Sequence, residues 1–449
     1  MHWHDSNYFR TTCGCVRRRE FRRNTESHHP QRVGGFFYFS AGGSHTMGVS
    51  LVDVQAARAR IGHFIYCSPA PYSAALSQMS GQQVFLKLDN LQRTGAFKER
   101  GALNKILTLT EAEKSRGVIA ASAGNHAQAV AFHATRRGIN ARIVMPLMTP
   151  LVKVSSTAGF GAEVVLHGAN YDEACAEALR QAEADGMTFL HPFDDADVIA
   201  GQGTIGLELL EQVPGLEAVV VPIGGGGLIS GVASAIKESN PKIRVVGVQT
   251  ERLPSMLRAI EVGKPVTIPA EATIADGIAV RRAGEQTLAL VQRYVDEIVT
   301  VDEEEIAKAI LILLECEKTL AEGAGAVALA ALLQRKTSLA DERTAVLVGG
   351  GNIDVSLLAK IIERGLVKDG RRTRLRIHLT DRPGALHQLT KIIADARANI
   401  VQTAHDRAYY GVNLGDTVID FTLETRGYEH IREIADLLNA AGYRHERIE

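Results

Sequence analysis

A chain of 449 residues is too long for one ordinary domain, so two or three compact units are expected. Hydrophobic residues make up 45% and charged residues 22%, the balance of a globular protein in water, and a net charge of −1 gives no electrostatic pull toward nucleic acid or an anionic membrane. No apolar run approaches the roughly 20 residues that span a bilayer.

Residues 1–46 stand apart from the rest. Arg10, Arg17, Arg18, Arg19, Arg22, Arg23 and Arg32 lie there without an amphipathic period, and Asp5, Glu20 and Glu26 interrupt the acid-poor pattern of an organelle-targeting segment. They are expected to be an extension without fixed structure, upstream of a start at Met47. Five cysteines (Cys13, Cys15, Cys67, Cys175 and Cys316) are too few and too dispersed for a disulfide framework. Cys13-Gly14-Cys15 has no second ligand pair at finger-like spacing, so a reducing, cytoplasmic compartment and no zinc site are expected.

From about Val52 to Leu366 strands and helices alternate. Strand-like runs lie at 84–88 (VFLKL), 117–120 (GVIA), 141–145 (ARIVM), 162–166 (AEVVL), 218–221 (AVVV), 244–248 (RVVGV) and 345–348 (AVLV). Helical patterns lie between most of them, as at 125–137 and 171–184. Short β-rich runs punctuated by helices predict parallel sheets covered on both faces. The polar stretch 363–372 is then expected to break the pattern, with 366–372 as a linker. Beyond it Leu375, Ile377 and Leu379 alternate as a strand, and Asp381-Arg382-Pro383-Gly384 turns into a helix bearing Leu386, Leu389, Ile392 and Ile393. Two strands are expected at about 399–406 and 417–424, then a helix with Ile431, Ile434, Leu437 and Leu438. That order predicts a small βαββαβ, ferredoxin-like unit.

Three segments carry the chemistry. Thr94-Gly95-Ala96-Phe97-Lys98-Glu99-Arg100-Gly101 puts Lys98 where a loop enters a helix, which alone reads as an ordinary solvated charge. Ser122, Gly124, Asn125 and His126 follow an apolar strand and open a helix, where backbone N–H groups and the positive end of the dipole bind carboxylates. A plain Ser/Asn cap has the same appearance. Gly224, Gly225, Gly226 and Gly227 stand between a strand and a helix, letting the backbone curl closely around a phosphate at an entropic cost that a mere turn would not need. Neither the dinucleotide G-x-G-x-x-G nor the P-loop Gly-Lys-Ser/Thr is formed there.

The strings TGAFKERGALN, ASAGNHAQ, GQGTIG, PIGGGGLISG and GGGNID, in this order between residues 60 and 360, resemble those of the fold type II pyridoxal-5′-phosphate (PLP) enzymes. Among these the chain is similar to the threonine dehydratases, or threonine ammonia-lyases, and its C-terminal unit resembles an ACT regulatory domain. The resemblance implies an α/β fold: a tryptophan synthase β-like catalytic domain of two parallel-sheet subdomains over 47–365, and a ferredoxin-like ACT domain over 373–449. It implies that Lys98 holds the cofactor as a Schiff base, that Phe97 borders its ring and that Asn125 hydrogen-bonds its phenolic oxygen. Gly224, Gly225, Gly226 and Gly227 would cradle its phosphate, and Gly349 would face its pyridine nitrogen. Ser122, Gly124, Asn125 and His126 would surround the substrate carboxylate.

The implied reaction is dehydration and deamination of L-threonine to 2-oxobutanoate and ammonia, and of L-serine to pyruvate, with Lys98 as the base for the α-proton. Serine racemases resemble the sequence but have serine at the position of Ala123, and alanine cannot transfer a proton. They also have a metal-binding glutamate where Gln249 stands, so no essential magnesium is expected. Two residues depart from the dehydratase pattern: Gly349, where serine or cysteine is usual, and Ala96, where serine is usual. Lowered rather than lost activity is expected from them, and they keep open a non-catalytic PLP or amino-acid sensor. A third reading takes another hydroxy amino acid, such as 3-hydroxyaspartate, since the sequence does not define the side-chain pocket. In the C-terminal unit the resemblance places an amino-acid effector, isoleucine or valine, at Asp381, Gly384 and Leu386, where a helix start receives its carboxylate. A structural Pro-Gly turn reads the same way. One such unit per chain implies a homo-oligomer, dimer or tetramer.

Overall fold

The computed structural model describes residues 48–406 and 413–448. The expectations for residues 1–46, with Cys13, Cys15 and the start at Met47, lie outside the described residues. Strands β1 (Gln83–Leu88), β2 (Val118–Ala121), β3 (Ala141–Met145), β4 (Glu163–Leu166) and β5 (Thr188–Phe189) come first. They are followed by β6 (Ala218–Pro222), β7 (Arg244–Thr250), β8 (Glu297–Val301) and β9 (Arg343–Val348). The last four are β10 (Arg372–Thr380), β11 (Asn399–Asp406), β12 (Asp416–Glu424) and β13 (Arg444–Ile448).

These strands form three sheets. One has the order β1-β9-β6-β7-β8 and a second the order β4-β3-β2-β5, and every pairing in both is parallel. Parallel neighbours need a crossover, and the helices that make the crossovers cover both faces, so the central strands are continuous apolar runs. All of β6 and nearly all of β9 are buried for this reason. One face of the larger sheet packs Val219, Val221, Ala345 and Leu347 against Ile229, Val232 and Ile236 of helix Gly227–Ser239. The other packs Val220, Val246 and Val348 on helix Gly323–Leu333, whose residues 323–332 are all buried. A helix that is apolar all round belongs inside a core.

The third sheet, β11-β12-β10-β13, is antiparallel and completes a βαββαβ unit of ferredoxin-like topology. Ile377 pairs with Ile419 and Leu375 with Phe421, and these side chains bury against Leu389, Ile393, Ile434 and Leu438 from the two helices. The expected break at 363–372 is corrected by the structure. Helix Val355–Lys368 runs through most of it, because Arg364 and Lys368, read as loop charges, lie one turn apart and both reach Glu304. Only residues 369–371 turn before β10 begins.

A charged network ties β1 and the turn after it to helices Lys98–Thr108 and Ala196–Gln212. Arg100, 1% exposed, makes a two-pronged contact with Asp89 (2.7 and 2.8 Å) and another with Glu208 (2.6 and 2.9 Å). Lys87 on β1 adds a third bond to Glu208 at 2.6 Å. Two cations and two carboxylates are thus paired and hydrogen-bonded, the condition under which burial of charge is tolerated. Arg100 lies two residues beyond Lys98, so the network anchors the first turn of helix Lys98–Thr108 from behind.

Candidate active site

The segments singled out above meet at the carboxyl ends of parallel strands, the usual position for ligands in open α/β sheets. Residues 94–97 lie beside the loop that follows β9. Phe97 N–H donates to the Gly349 carbonyl and Gly351 N–H to the Gly95 carbonyl, both at 2.9 Å. Ala96 bridges Gly350 and is fully buried. The Thr94 N–H donates to Glu99, whose other oxygen lies 3.1 Å from His133 Nε2, so the loop is held from both sides.

Lys98 is the first residue of its helix. Its Nζ donates to the Pro192 carbonyl oxygen at 2.7 Å and lies 5.3 Å from the centroid of the Phe97 ring. Burial pushes its pKa from 10.5 down to about 8, against an upward pull from the Glu322 carboxylate. The amine is therefore far easier to deprotonate than a surface lysine.

Two helix starts without side-chain caps face this lysine's neighbourhood. Helix Asn125–Thr135 begins after Gly124, and helix Gly227–Ser239 after Gly226; neither has a capping hydrogen bond. Their first N–H groups are available to anions. Gly226 has φ +98°, a conformation that side chains rarely adopt, and a methyl there would lie 2.6 Å from Met256. Methyl groups at Gly225 and Gly227 would collide with Phe193 at 2.5 and 2.7 Å, and one at Gly224 would press on Ile278 at 3.1 Å. The Gly225 carbonyl is held by the Thr287 hydroxyl at 2.6 Å. A backbone turn bare of side chains at an uncapped helix start is the kind of geometry that can take up a phosphate.

Residues 190–193, absent from the sequence reading, connect these parts. The Leu190 carbonyl accepts from His126 Nε2 at 3.0 Å, the Pro192 carbonyl accepts from Lys98, and Phe193 covers the glycine turn. Asp194 then accepts the N–H groups of Glu285, Gln286 and Thr287, capping helix Glu285–Tyr294. A carbonyl can only accept, so His126 carries its proton on Nε2, and its buried Nδ1 has no partner among the described residues. Burial, and then the Lys98 charge, push the His126 pKa down to about 3, which keeps the ring neutral. Ser122 turns its hydroxyl inward to accept the Gly124 N–H at 3.2 Å.

Glu322 and Asn352 were also missed. Glu322, 5% exposed, accepts from Asn125 Nδ2 at 2.7 Å, and Asn352 Nδ2 donates to Asn125 Oδ1 at 2.8 Å. Burial and then the Asp276 carboxylate push the Glu322 pKa up to about 7, while the Asn125 bond pulls it back. The signal was a single acid at the head of the uncharged run 323–333.

Gly349 sits against Phe97; a methyl there would lie 3.2 Å from the ring. Ala123 packs on the core of the smaller sheet. Gln249 lies within β7, which continues to Thr250, and its Oε1 accepts the Leu257 N–H at 3.0 Å. Among the described residues no group of three or more His, Cys, Asp or Glu is arranged to hold a metal ion, and no helix of the described residues is long and apolar enough to cross a membrane. In the ferredoxin-like unit the Asp381 N–H donates to the Gly415 carbonyl at 2.9 Å. Gly384, at φ +87°, precedes the uncapped start of helix Ala385–Asp395, where Leu386 is 39% exposed.

The lysine amine, the adjoining aromatic ring and the glycine turn at an uncapped helix start fit pyridoxal phosphate. Residues 63–350 match the model of the pyridoxal-phosphate dependent enzyme family. The chain is 49% identical over 395 residues to an L-threonine ammonia-lyase of Thermotoga maritima, covering 88% of this chain and 98% of that protein. A solved threonine deaminase from Solanum lycopersicum, in its processed form, superimposes with a TM-score of 0.67 at 37% identity, over 71% of this chain and 90% of the other. A maize serine racemase does so with a TM-score of 0.67 at 36% identity, over 72% and 99%. The chain belongs to the pyridoxal-phosphate dependent enzymes, and pyridoxal 5′-phosphate is its cofactor.

Proposed function

We propose that this protein is an L-threonine ammonia-lyase that converts L-threonine to 2-oxobutanoate and ammonia, and L-serine to pyruvate and ammonia. The observation that carries the proposal is the contact of residues 190–193 with Lys98, His126 and the glycine turn together, which sets one amine beside two uncapped helix starts. Bound pyridoxal phosphate supplies the electron sink for a carbanion at the substrate α-carbon. Lys98 holds the cofactor and serves as the base that takes the α-proton, a role suited to an amine whose pKa is lowered by burial. Amide N–H groups of Gly224, Gly225, Gly226 and Gly227 hold the phosphate. Those of Asn125 and His126, with Ser122 and Gly124, hold the substrate carboxylate, and the neutral His126 ring, whose one N–H goes to the Leu190 carbonyl, adds no side-chain donor there. Water is lost with the β-hydroxyl and regained when the product enamine is hydrolysed.

Similarity to a serine racemase offers a second reading, against which stands Ala123, a residue with no proton to transfer. A chiral assay for D-serine separates the two. The main test incubates the purified holoprotein with L-threonine and follows 2-oxobutanoate. None above background would favour the PLP or amino-acid sensor, and a higher kcat/KM for 3-hydroxyaspartate would move the substrate.

We also propose a catalytic unit over 47–365 and an ACT regulatory unit over 373–449, joined by the end of helix Val355–Lys368. Isoleucine or valine would bind at Asp381, Gly384 and Leu386, with its carboxylate at the uncapped helix start. The effector acts only if it binds one conformational state better than another. A cytoplasmic homo-oligomer, dimer or tetramer, would pair these units.

A further inference from the structure

Asn125 sits in the middle of a hydrogen-bonded chain whose two ends are of known polarity. At one end is the Thr94 carbonyl, which can only accept; Asn352 Nδ2 donates to it at 2.7 Å. The other hydrogen of Asn352 Nδ2 goes to Asn125 Oδ1 at 2.8 Å. Asn125 Nδ2 then donates to Glu322 Oε1 at 2.7 Å. An asparagine amide can turn over by half a rotation with almost no change of shape, so its orientation is set by its partners. Here both amides are fixed, one by the backbone carbonyl and the other by the carboxyl group.

The surrounding backbone leaves room for this chain and little else. A methyl at Gly350 would lie 2.4 Å from Glu322 Oε1 and 3.2 Å from Asn125 Nδ2, directly in the bond between them. A methyl at Gly95 would lie 2.4 Å from Asn352 Oδ1. The Glu322 N–H is itself tied to the Gly350 carbonyl at 3.0 Å, which holds the carboxyl group in place from its own backbone.

We infer that Glu322 is a positioning residue that acts through Asn125, holding that amide so that its second N–H, and not its oxygen, faces the phenolic oxygen of the cofactor. The inference rests on the reading of Asn125 as the partner of that oxygen. A turned-over amide would set two acceptors against each other and lose the bond. The carboxyl group accepts through Oε1 whether or not its other oxygen carries a proton, so the role does not depend on its charge.

The test titrates the apoproteins with pyridoxal phosphate and reads the dissociation constant from the visible absorbance of the bound cofactor. Glu322→Ala should weaken binding about tenfold, the worth of roughly one hydrogen bond. Glu322→Gln, which keeps an acceptor oxygen, should stay within about threefold of the wild type by the same reasoning. Asn125→Ala should weaken binding as well, and adding Glu322→Ala to it should cost nothing more. A purely structural role would give additive losses. Wild-type affinity in Glu322→Ala beside a weakened Asn125→Ala overturns the inference, as do additive losses. Wild-type affinity in Asn125→Ala overturns the reading of Asn125 instead. If Glu322→Ala does not fold, Glu322→Met takes its place, and failure of both to fold overturns the positioning role in favour of a structural one.

Discussion

The Pro192 carbonyl oxygen lies 2.7 Å from Lys98 Nζ and accepts its hydrogen, so the amine is aimed by backbone from the smaller sheet's edge while its helix belongs to a different layer. Among the described residues the geometry puts one lysine amine, that of Lys98, against the Phe97 ring. Lys98→Ala should therefore abolish both turnover and the visible absorbance of the bound cofactor. Borohydride reduction of the wild-type holoprotein should leave its pyridoxyl adduct on the peptide containing residue 98. An adduct on another peptide would remove the foundation of the proposed site.

The same amine dictates a pH dependence. Only neutral lysine attacks an aldehyde, and burial brings the Lys98 pKa from 10.5 to about 8. The rate at which apoprotein captures pyridoxal phosphate should rise as pH rises through about 8 and level off well below 10.5. A rate still climbing at 10.5 would mean an exposed, unperturbed amine.

Much of this site was legible because its parts are local strings. Lys98, the Asn125 helix start and the four glycines each announce themselves over a few residues, and strand ends in a parallel sheet bring such turns together. What escaped were residues whose meaning is purely spatial. Glu322 is a lone acid 197 positions from Asn125. The 190–193 segment follows β5, a strand of two residues that has no alternation to detect. β8 was likewise passed over, although three of its five residues are β-branched valines and isoleucine. The supposed linker failed for the opposite reason: charges on the outer face of helix Val355–Lys368 imitate a loop until Glu304 is seen to receive them.

Glu322 should leave a mark on stability. Its carboxyl holds a proton up to about pH 7 in the folded protein but only to 4.5 when unfolded. Between those values the folded state binds more protons, so stability contributed at this position falls as pH rises. Glu322→Gln cannot lose a proton. The Tm of the variant minus that of the wild type, measured on apoprotein by circular dichroism, should become more positive from below pH 4.5 to above 7. A constant difference would place the carboxyl group in water.

The network behind Lys98 makes a larger demand. Arg100→Met keeps much of the volume but leaves Asp89 and Glu208 short of their shared counter-charge in a buried setting. Breaking such a pair costs about 3–5 kcal/mol. Urea unfolding of the variant should show a loss of that size with an unchanged slope, and weaker cofactor binding, since the first turn of helix Lys98–Thr108 would lose its anchor. A loss under about 1 kcal/mol would class the contacts with exposed surface pairs.

Finally, the two proposed units should separate. Helix Val355–Lys368 belongs to the larger parallel domain, where Ile361 is buried with Val346 and Val348. The antiparallel sheet has its own core of Leu375, Ile377, Leu389, Phe421 and Ile434. Removing residues 372–449 takes away the Tyr428 hydroxyl bond to the Lys368 carbonyl and the Thr425 bonds to residues 370 and 371, contacts at the junction remote from Lys98 in the chain. The shortened enzyme should keep its basal rate on L-threonine, bind pyridoxal phosphate as before and lose any response to isoleucine or valine. Within the full-length chain, Gly384→Val should abolish the same response while sparing basal turnover, because φ +87° excludes a β-branched residue at the proposed carboxylate-binding turn. If the shortened enzyme still responded to either amino acid, the effector site would lie among the parallel sheets, and the ferredoxin-like unit would need another role.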